Sequence, residues 1–397
     1  MRLLNPFAFW KNTKTTFKQA KSKPIDPVMT QYILTFNAGS SSIKFAQFVF
    51  ATSNTSSLHL VHKGQVENIG RDGLTHAQAL AQIVRNLDVS NVVAIGHRIV
   101  HGGTSFATPV LIDSQVIDAM AALSPLAPLH QPHNIAGVRA AIAAFPNAKQ
   151  VACFDTAFHR TMPAINQCFA IPQALHDEGI QRYGFHGLSY ESIRAQMREH
   201  SPDLANQKIV VAHLGNGASL CAMNGGRSIA TTMSFSPLDG LPMGTRSGRI
   251  DAAVVLYLIE QKGMSAAQVS HLLYKESGLL GLSGVSSDMR QLHASKNPNA
   301  EAAICYFVAH IQREIAAMTA ALHGLDGIVF TGGIGQNDSL IRARVLDGLR
   351  WMGIKLNAQA NTAHETCITE KSSITPAFVL PTDEEAVIAQ HTKALAC

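Results

Sequence analysis

Three glycine-containing polar turns hold the residues of this sequence that are best suited to bind phosphate. The first, NAGSSSIK, starts at Asn37 and ends at Lys44, with a glycine and three serines between them. Glycine lets a ligand approach the backbone, serines add hydroxyl donors, and lysine adds a positive charge. The second turn, HLGNG, spans residues 213–217, and the third, TGGIGQN, spans residues 331–337. Each by itself is more typical of an ordinary tight turn, but three of them after three strand-like segments indicate phosphate binding.

Two arginines lie in glycine-rich, apolar surroundings. Arg98 is part of GHRIVHGG, and Arg246 is part of GTRSG. The planar guanidinium can hold a carboxylate or a phosphate with two parallel hydrogen bonds. A surface ion pair is the commoner role of an arginine, but these surroundings favour ligand binding. Positioning and charge neutralisation are also what phosphoryl transfer chiefly requires.

The sequence lacks the motifs of several common nucleotide-binding classes. There is no Gly-Lys pair, so a P-loop is excluded. The D-F-G and H-R-D signatures of protein kinases are absent. The turn GGIGQN does not match G-x-G-x-x-G, and its late position argues against a dinucleotide fold.

The composition is that of a globular protein with more than one domain. The 397 residues are 46% hydrophobic and 15% charged, which suits two or three domains. No apolar run reaches the roughly 18 residues that span a bilayer, so no membrane partner is expected. The formal net charge is +5, but much of the excess lies in residues 10–23, so no nucleic-acid surface is indicated. Six scattered cysteines without a C-x-x-C pair predict reduced thiols and a cytoplasmic location.

The N-terminal segment differs from the rest of the chain. Residues 1–30 are rich in lysine and nearly free of acidic residues, and we expect a disordered basic extension. Three interpretations stay open: a flexible tail, an organelle presequence, or a start site placed too early, with Met29 as the native start. The remaining chain is predicted to form an N-terminal domain, residues 31–155 completed by 386–397, and a C-terminal domain, residues 156–385.

Each half of the chain opens with a strand, a polar turn and a second strand. The segments FNAGSSSIKF and AHLGNGASLC form a weak internal repeat. NGG at residues 224–226 predicts a hairpin turn, and apolar periodicity predicts a long helix over residues 301–323. The strand GIVFTG is expected to enter a turn, GIGQN, before a helix near residue 338. This pattern predicts a duplicated α/β architecture with a ligand-binding cleft between the halves.

Ten segments, in order and with family-like spacing, resemble the acetokinase family, which includes acetate, propionate and butyrate kinases. They are FNAGSSSIK, GHRIVHGG, LAPLHQPHN, FDTAFH, YGFHG, HLGNGAS, SFSPLDGLPMGTRSG, GLLGLSGVSSDMR, VFTGGIGQN and PTDEEAVIA, and they cover the chain from Gln31 to its end. The resemblance implies an actin-like (ribonuclease H-like) duplicated two-domain α/β fold with an interdomain cleft, and a homodimer. It also implies in-line phosphoryl transfer between ATP and acetate, giving ADP and acetyl phosphate, with Mg²⁺, or Mn²⁺ in its place.

The resemblance also implies which residues are catalytic: Asp155, His186 and Arg246. Arg98 is implied to contact the carboxylate substrate, Arg246 to stabilise the transferring phosphoryl group, and His186 to donate a hydrogen bond to it. A carboxylate substrate is already ionised near neutral pH, so we expect Asp155 to position the metal or orient an arginine. Other histidines are expected to be core or polar-contact residues: His97, His101, His133 and His159.

The remaining matched positions are implied to hold the metal, the acyl substrate and the nucleotide. Asn37 and Glu384 match the Mg²⁺ ligands, which suits an ion that keeps phosphate oxygens and waters in its shell. The substrate positions, besides Arg98, are Val100, Leu129, His130 and Pro237. Val100 narrows the acyl pocket and predicts a preference for acetate over propionate. The nucleotide positions are Ser40, Ser42 and Lys44; His213, Leu214, Gly215, Asn216 and Gly217; Asp288, Met289 and Arg290; and Gly333, Ile334, Gly335, Gln336 and Asn337.

Three positions depart from the family pattern. Met289 stands where an aromatic residue is expected, and Gln336 and Asp239 stand where glutamate is usual. Because none of them removes a catalytic group, they bear on nucleotide affinity and not on the chemistry. Two other functions stay open: a nucleotide-binding switch on the same fold, which would not need the two arginines, and a sugar kinase in which Asp155 serves as the base for a hydroxyl.

Overall fold

A computed structural model describes residues 15–19, 30–39, 42–51, 57–69 and 74–397. The chain forms two compact units: unit 1 consists of residues 1–157 and 384–397, and unit 2 of residues 158–383. Each unit is built around one mixed β-sheet.

Within its described residues, unit 1 combines a seven-stranded sheet with four helices. Its strands are β1 (Thr15–Gln19), β2 (Thr30–Ala38), β3 (Ser42–Ala51), β4 (His59–Glu67), β5 (Val92–Ile99), β6 (Val110–Leu111) and β7 (Lys149–Phe154). Its helices are α1 (His76–Val84), α2 (Ser114–Ala122), α3 (Gln131–Ala144) and the C-terminal α16 (Glu384–Ala396), with a 3-10 turn at Ser124–Leu126. The strand order is β1-β4-β3-β2-β5-β7-β6.

Strand β1 is the described part of the predicted N-terminal extension, apart from Thr30. It pairs antiparallel with β4. The other residues of the segment 1–30 lie outside the described residues, so the prediction for that segment stays a prediction.

The core of unit 1 forms because β-branched and aromatic residues of the central strands face the helices. Leu34, Phe36 and Phe45 pack in one cluster with Ile83 of α1. Helix α1 begins at a capping box in which the Thr75 side chain accepts from Gln78 N. A second cluster joins the ends of β5 and β7 to α2 and α3.

Helix α16 lies directly on β5, and its first residue, Glu384, lies beside Arg98 near the end of that strand. A Cβ atom on Gly96 of β5 would stand 2.2 Å from Thr392 Oγ1 and 2.4 Å from Ile388 Cγ2. Only glycine allows this close approach of helix and strand. Lys149 Nζ also donates to Ala396 O at 2.8 Å and ties the far end of α16 to β7.

Unit 2 combines a five-stranded sheet with helices of varied length. Its strands are β8 (Lys208–Leu214), β9 (Ala218–Asn224), β10 (Arg227–Thr231), β11 (Gly327–Thr331) and β12 (Ala377–Val379), in the order β10-β9-β8-β11-β12. Its first helices are α4 (Ala164–Gln167), α5 (Gln173–Asp177), α6 (Gly187–His200), α7 (Pro202–Ala205), α8 (Ala252–Glu260) and α9 (Ala266–His271). The others are α10 (Gly278–Ser283), α11 (Met289–Ala294), α12 (Pro298–Leu322), α13 (Gly332–Asn337), α14 (Ser339–Asp347) and α15 (Ala358–Thr362). A π-helical turn at Leu272–Glu276 and a 3-10 turn at Arg350–Met352 complete the unit, and the 3-10 turn Ala157–Thr161 leads into it.

The sheet topology confirms the predicted duplication. In unit 1, β4-β3-β2 are antiparallel neighbours and β2-β5-β7 are parallel neighbours. Unit 2 repeats this arrangement with β10-β9-β8 and β8-β11-β12. The two polar turns of the sequence repeat therefore occupy corresponding places, between β2 and β3 in unit 1 and between β8 and β9 in unit 2.

Local predictions are partly confirmed, with two corrections. NGG forms the turn between β9 and β10, where Gly225 and Gly226 have φ of 57° and 74°. Helix α12 begins at Pro298 instead of residue 301, because the Asn297 side chain caps it and proline suits a first turn. The prediction of a turn at GIGQN is wrong: these residues belong to α13.

No helix in the described part of the chain combines the length and the apolar character needed to cross a membrane.

Candidate active site

An arginine and an aspartate form an ion pair at the ends of two parallel strands of unit 1. Arg98 lies near the end of β5, and Asp155 directly follows the adjacent β7. Arg98 Nε donates to Asp155 Oδ1 at 3.1 Å, and Arg98 Nη2 donates to Asp155 Oδ2. The third nitrogen, Nη1, donates to Asn37 Oδ1 of β2 at 3.0 Å. Three adjacent strands therefore deliver one cation and two oxygen-bearing side chains to one place.

Glu384 completes this cluster from the first residue of α16. Its Oε2 lies 3.7 Å from Arg98 Nε. The next residue, Glu385, is turned towards Lys63, with Oε2 and Nζ 3.1 Å apart. The two consecutive glutamates therefore have different partners, as expected if only Glu384 faces a ligand.

Burial sets the electrostatics of the cluster. Asp155 is 1% exposed, and this desolvation raises the pKa of Asp155 to about 6, against the lowering effect of Arg98 and with a further raising effect of Glu384. Desolvation alone would lower the pKa of Arg98, but the carboxylates of Asp155 and Glu384 outweigh it and raise this pKa. Arg98 is therefore a permanent cation, and Asp155 orients it.

The oxygen atoms of the cluster fit a hard divalent cation. Asn37, Asp155 and Glu384 all contact Arg98 and supply amide and carboxylate oxygens, which are the donors that Mg²⁺ prefers. Within the described residues there is no group of three or more His, Cys, Asp and Glu side chains that would enclose a metal by itself. Because Mg²⁺ usually keeps several waters and binds phosphate oxygens besides one or two carboxylates, a donor set of this size suits it.

The first polar turn lies beside this cluster. Lys44 of β3 is exposed and is the cross-strand neighbour of Asn37. The hairpin closes with Gly39 N donating to Ser42 O at 2.8 Å. Ser40, a predicted nucleotide-binding residue, lies outside the described residues.

The backbone after Arg98 is braced by amide side chains that the sequence reasoning missed. Val100 is buried, and its N–H donates to Asn134 Oδ1 at 2.9 Å. Asn134 Nδ2 in turn donates to Ala38 O at 2.6 Å and so links the ends of β5 and β2. Gln131 makes a similar pair of bonds to the backbone of His101. Both amides belong to the segment LAPLHQPHN, in which the sequence predicts ligand contacts only for Leu129 and His130.

The predicted acyl-pocket residues are divided between the units. Val100, Leu129 and His130 belong to unit 1, where Leu129 is 39% exposed and His130 is half-buried just before α3. Pro237 belongs to unit 2, where it is buried and its carbonyl accepts from Arg246 Nη1 at 3.0 Å. Their shared role in one acyl pocket stays a prediction.

In unit 2, two catalytic candidates, His186 and Arg246, lie next to the second polar turn. The turn connects β8 and β9. A Cβ atom on Gly217 would lie 3.3 Å from His186 Nε2 and 3.9 Å from Arg246 Nη1. A Cβ atom on Gly215 would lie 3.9 Å from His213 Nε2 and 3.8 Å from Gly333 N. Donor groups from four segments of unit 2 therefore surround the glycines of this turn.

His186 is held in an unusual backbone conformation at the start of α6. Its φ is 60° and its ψ is 24°, in the left-handed region that a residue other than glycine seldom adopts. His186 Nδ1 lies 2.9 Å from Ser219 Oγ, and its ring stacks on that of His213 with centroids 4.3 Å apart. A strained residue with fixed contacts is typical of a functional site.

His159 hydrogen-bonds to the backbone carbonyl of the residue that precedes His186. Its Nε2 donates to Phe185 O at 2.9 Å, and its Nδ1 accepts from Ser228 Oγ at 2.8 Å. Burial lowers the pKa of His159 to about 4, so the ring is neutral near pH 7. The expectation that His97, His101 and His159 are core or polar-contact residues is confirmed, because all three are buried.

Arg246 is positioned by the backbone of its own loop. A Cβ atom on Gly278, whose φ is 63°, would stand 2.1 Å from Met243 O and 2.6 Å from Arg246 O. The loop therefore packs against bare glycine backbone. This contact, together with the bond to the Pro237 carbonyl, fixes both ends of the Arg246 side chain.

The third polar segment forms α13. Gly333 is exposed, and a Cβ atom there would have no protein atom within 4 Å. Ile334 and Gln336 are half-buried, and Asn337 Nδ2 donates to Gly333 O at 2.9 Å. The buried Arg342 donates to Gly335 O and Gln336 O and so holds the end of this helix.

The other nucleotide candidates have separate surroundings. Asp288 caps α11 and forms an exposed ion pair with Arg290, with Oδ2 and Nη2 2.6 Å apart. Met289 is buried, so its side chain contributes to the core. Leu214 is buried, whereas Asn216 is exposed and its carbonyl accepts from Gly244 N. The roles of these residues towards a nucleotide stay predictions.

Comparison with known proteins identifies the family. A model described as the acetokinase family matches residues 32–390. The chain is 48% identical to an acetate kinase of Methylocella silvestris, over 92% of this chain and 98% of that protein. The chain belongs to the acetokinase family. This acetokinase is also 46% identical to an acetate kinase of Nitrobacter hamburgensis, over 91% of this chain and 96% of that protein.

Solved structures agree with this assignment. A propionate kinase from Francisella tularensis is 37% identical to this acetokinase, with a TM-score of 0.83 over 92% of this chain and 100% of that one. The acetate kinase of Porphyromonas gingivalis is 34% identical, with a TM-score of 0.81 over 92% and 99% of the two chains. The predicted actin-like two-domain fold and the predicted kinase class are thereby confirmed.

Proposed function

We propose that this acetokinase is an acetate kinase that transfers the γ-phosphoryl group of ATP reversibly to acetate, giving acetyl phosphate and ADP. The observation that carries the proposal is the convergence of His186 Nε2 and Arg246 Nη1 on Gly217. A loose phosphoryl transition state spreads negative charge over its equatorial oxygens, and N–H donors held in place stabilise that charge.

The cluster of unit 1 suits the carboxylate and the metal. Arg98 stays cationic and is oriented by Asp155, so it is suited to bind the acetate carboxylate. Acetate is already ionised near neutral pH, and no base is needed to activate it. Asn37 and Glu384 would hold Mg²⁺, or Mn²⁺ in its place, which neutralises phosphate charge when bound.

The turns of unit 2 suit the nucleotide phosphates. Gly217 and the exposed Gly333 carry no Cβ atom, so a phosphate can come close to the backbone at these two positions. We propose that the remaining predicted nucleotide residues, from Asp288 to Arg290 and from Gly333 to Asn337, contact the rest of ATP. We also propose a homodimer, as the family resemblance suggests, and a cytoplasmic location, as the scattered cysteines without a C-x-x-C pair suggest.

A hydroxamate assay with ATP, Mg²⁺ and a series of formate, acetate, propionate and butyrate tests the proposal. We expect acyl hydroxamate to form and the highest kcat/KM for acetate. Arg246→Ala should abolish most of the activity, whereas Arg249→Ala is the matched control, since Arg249 is an exposed residue of the same segment paired with Glu314. A higher kcat/KM for propionate would overturn the assignment of acetate, and no acyl phosphate with any carboxylate would overturn the activity itself.

A further inference from the structure

Two buried hydroxyl groups lie behind the ring of His186. Ser219 Oγ is 2.9 Å from His186 Nδ1 and also hydrogen-bonds to the Tyr190 hydroxyl. Tyr190 and Ser219 are both completely buried. Among the described residues, the Ser219 hydroxyl hydrogen-bonds only to His186 Nδ1 and the Tyr190 hydroxyl, and the Tyr190 hydroxyl hydrogen-bonds only to Ser219.

Counting protons along this chain of contacts leaves one arrangement. A buried O–H without an acceptor is strongly disfavoured, by roughly 5- to 150-fold in population. If Ser219 donated to Tyr190, the phenolic O–H would have no acceptor. If His186 Nδ1 donated to Ser219, either the serine or the tyrosine proton would have none. Only the order in which Tyr190 donates to Ser219, and Ser219 donates to His186 Nδ1, satisfies both hydroxyls. The ring proton of His186 must then be on Nε2.

The same reasoning applies to His213. Ser189 Oγ lies 2.8 Å from His213 Nδ1, and Ser189 is completely buried. This is the hydrogen bond that the Ser189 hydroxyl makes among the described residues, so the serine is the donor and His213 Nδ1 is the acceptor. The ring proton of His213 is then also on Nε2.

Both Nε2 atoms face the same polar turn. His186 Nε2 approaches Gly217, and His213 Nε2 approaches Gly215. The two rings are stacked with an interplanar angle of 26°. Two neutral rings can stack at this distance without charge repulsion. This agrees with each Nδ1 carrying no proton and accepting a hydrogen bond from a serine hydroxyl.

We call Tyr190, Ser219 and Ser189 the hydroxyl set, and His186 and His213 the histidine pair. We propose that the hydroxyl set holds both members of the histidine pair as neutral Nε2–H tautomers, so that the pair presents two N–H donors to a phosphoryl group at the turn. The members of the hydroxyl set are positioning residues, because they act through the imidazoles. The kinetic part of this inference rests on the proposed function, whereas the tautomers themselves do not.

The direct test is long-range ¹H–¹⁵N NMR of protein labelled with ¹⁵N-histidine, recorded well above the ordinary imidazole pKa. The nitrogen shifts distinguish the two tautomers. We expect Nε2–H signals from both members of the pair, identified by their loss in His186→Gln and His213→Gln. Ser219→Ala should give mixed tautomers at His186 only, and Ser189→Ala should do so at His213 only, so each variant is the control for the other.

Kinetics then separate positioning from structure. Losing one neutral hydrogen bond should lower kcat roughly 2- to 13-fold in Ser219→Ala and Tyr190→Phe. A single cooperative thermal transition, with a midpoint well above the assay temperature, is the check on folding. Tyr183→Phe is the control, because the Tyr183 hydroxyl is also buried but donates to Gly179 O at 2.6 Å.

Each outcome decides the inference. An Nδ1–H tautomer at His186 or His213 in the wild type, or no change of the His186 tautomer in Ser219→Ala, overturns it. Predicted tautomers in a protein that phosphorylates no carboxylate leave the inference standing and overturn the proposed function instead.

Discussion

Replacing Arg98 by alanine tests whether the buried carboxylate of Asp155 depends on its guanidinium partner. Asp155 is 1% exposed, and two nitrogens of Arg98 contact its two oxygens. Removing one partner of a buried ion pair costs about 3–5 kcal/mol, because the remaining charge is left without water or a counter-ion. Because Arg98 is itself 21% exposed, solvent screens the pair in part, and we expect a loss near 3 kcal/mol.

Two further variants separate charge from geometry. Arg98→Ala/Asp155→Asn should recover part of the lost stability, because a neutral amide needs no counter-ion. Arg98→Lys should lie between the wild type and Arg98→Ala, since lysine keeps the charge but cannot make the two parallel hydrogen bonds.

Hydrogen exchange followed by mass spectrometry measures the loss of stability in unit 1 itself. In protein without nucleotide or metal, a loss of 3 kcal/mol should speed exchange of the slowest amides in β5 and β7 by roughly 160-fold. Equal exchange rates in the wild type and Arg98→Ala would refute the ion-pair reasoning. A double variant no better protected than Arg98→Ala would refute the part assigned to the unpaired carboxylate.

Four other perturbations test the site and its supports. Arg246→Ala should lower kcat by about 10²–10³-fold in the coupled assay with little change in the thermal midpoint, and an unchanged kcat would remove its role. Val100→Ala should raise the propionate-to-acetate ratio of kcat/KM by about tenfold, and a constant ratio would show that Val100 does not limit the pocket. Gly333→Ala should raise the KM for ATP without unfolding, because its Cβ meets no protein atom, and a wild-type KM would locate the nucleotide elsewhere. Burial lowers the pKa of His97 and His159 from 6.5 to about 4. The free energy of unfolding should therefore be highest above about pH 6.5 and should fall by up to about 3 kcal/mol for each histidine as the pH drops towards 4. Urea midpoints that stay level across this pH range would contradict this.

Much of the fold follows from local sequence patterns. Strong β-branched and aromatic segments predict the central strands, and the repeat of a strand, polar turn and strand predicts the duplicated sheets, which the topology confirms. The prediction at GIGQN is wrong because its glycines suggest a turn, whereas the buried Arg342 stabilises helix α13 by binding the carbonyls of Gly335 and Gln336. That contact joins residues on two helices and has no local signal.

The sequence suggests Arg98 as a candidate through its residue type and glycine-rich surroundings, and Asp155 through the family resemblance. Arg98 and Asp155 are separated by more than fifty residues, and the parallel pairing of β5 and β7 brings them together. The supporting groups could not be found in this way. Ser219 and Tyr190 are ordinary residues of a strand and a helix, and only their depth and distance to His186 show that they orient it. His159 and Asn134 are similar, since both act through backbone carbonyl or N–H groups.

Phosphorus NMR of the protein with ATP, Mg²⁺ and acetate tests the central claim most directly. We predict that acetyl phosphate and ADP appear together and in equal amounts, and that ATP forms when acetyl phosphate and ADP are supplied instead. Production of ADP with inorganic phosphate alone, or of a phosphate ester when an alcohol is added in place of acetate, would contradict the account.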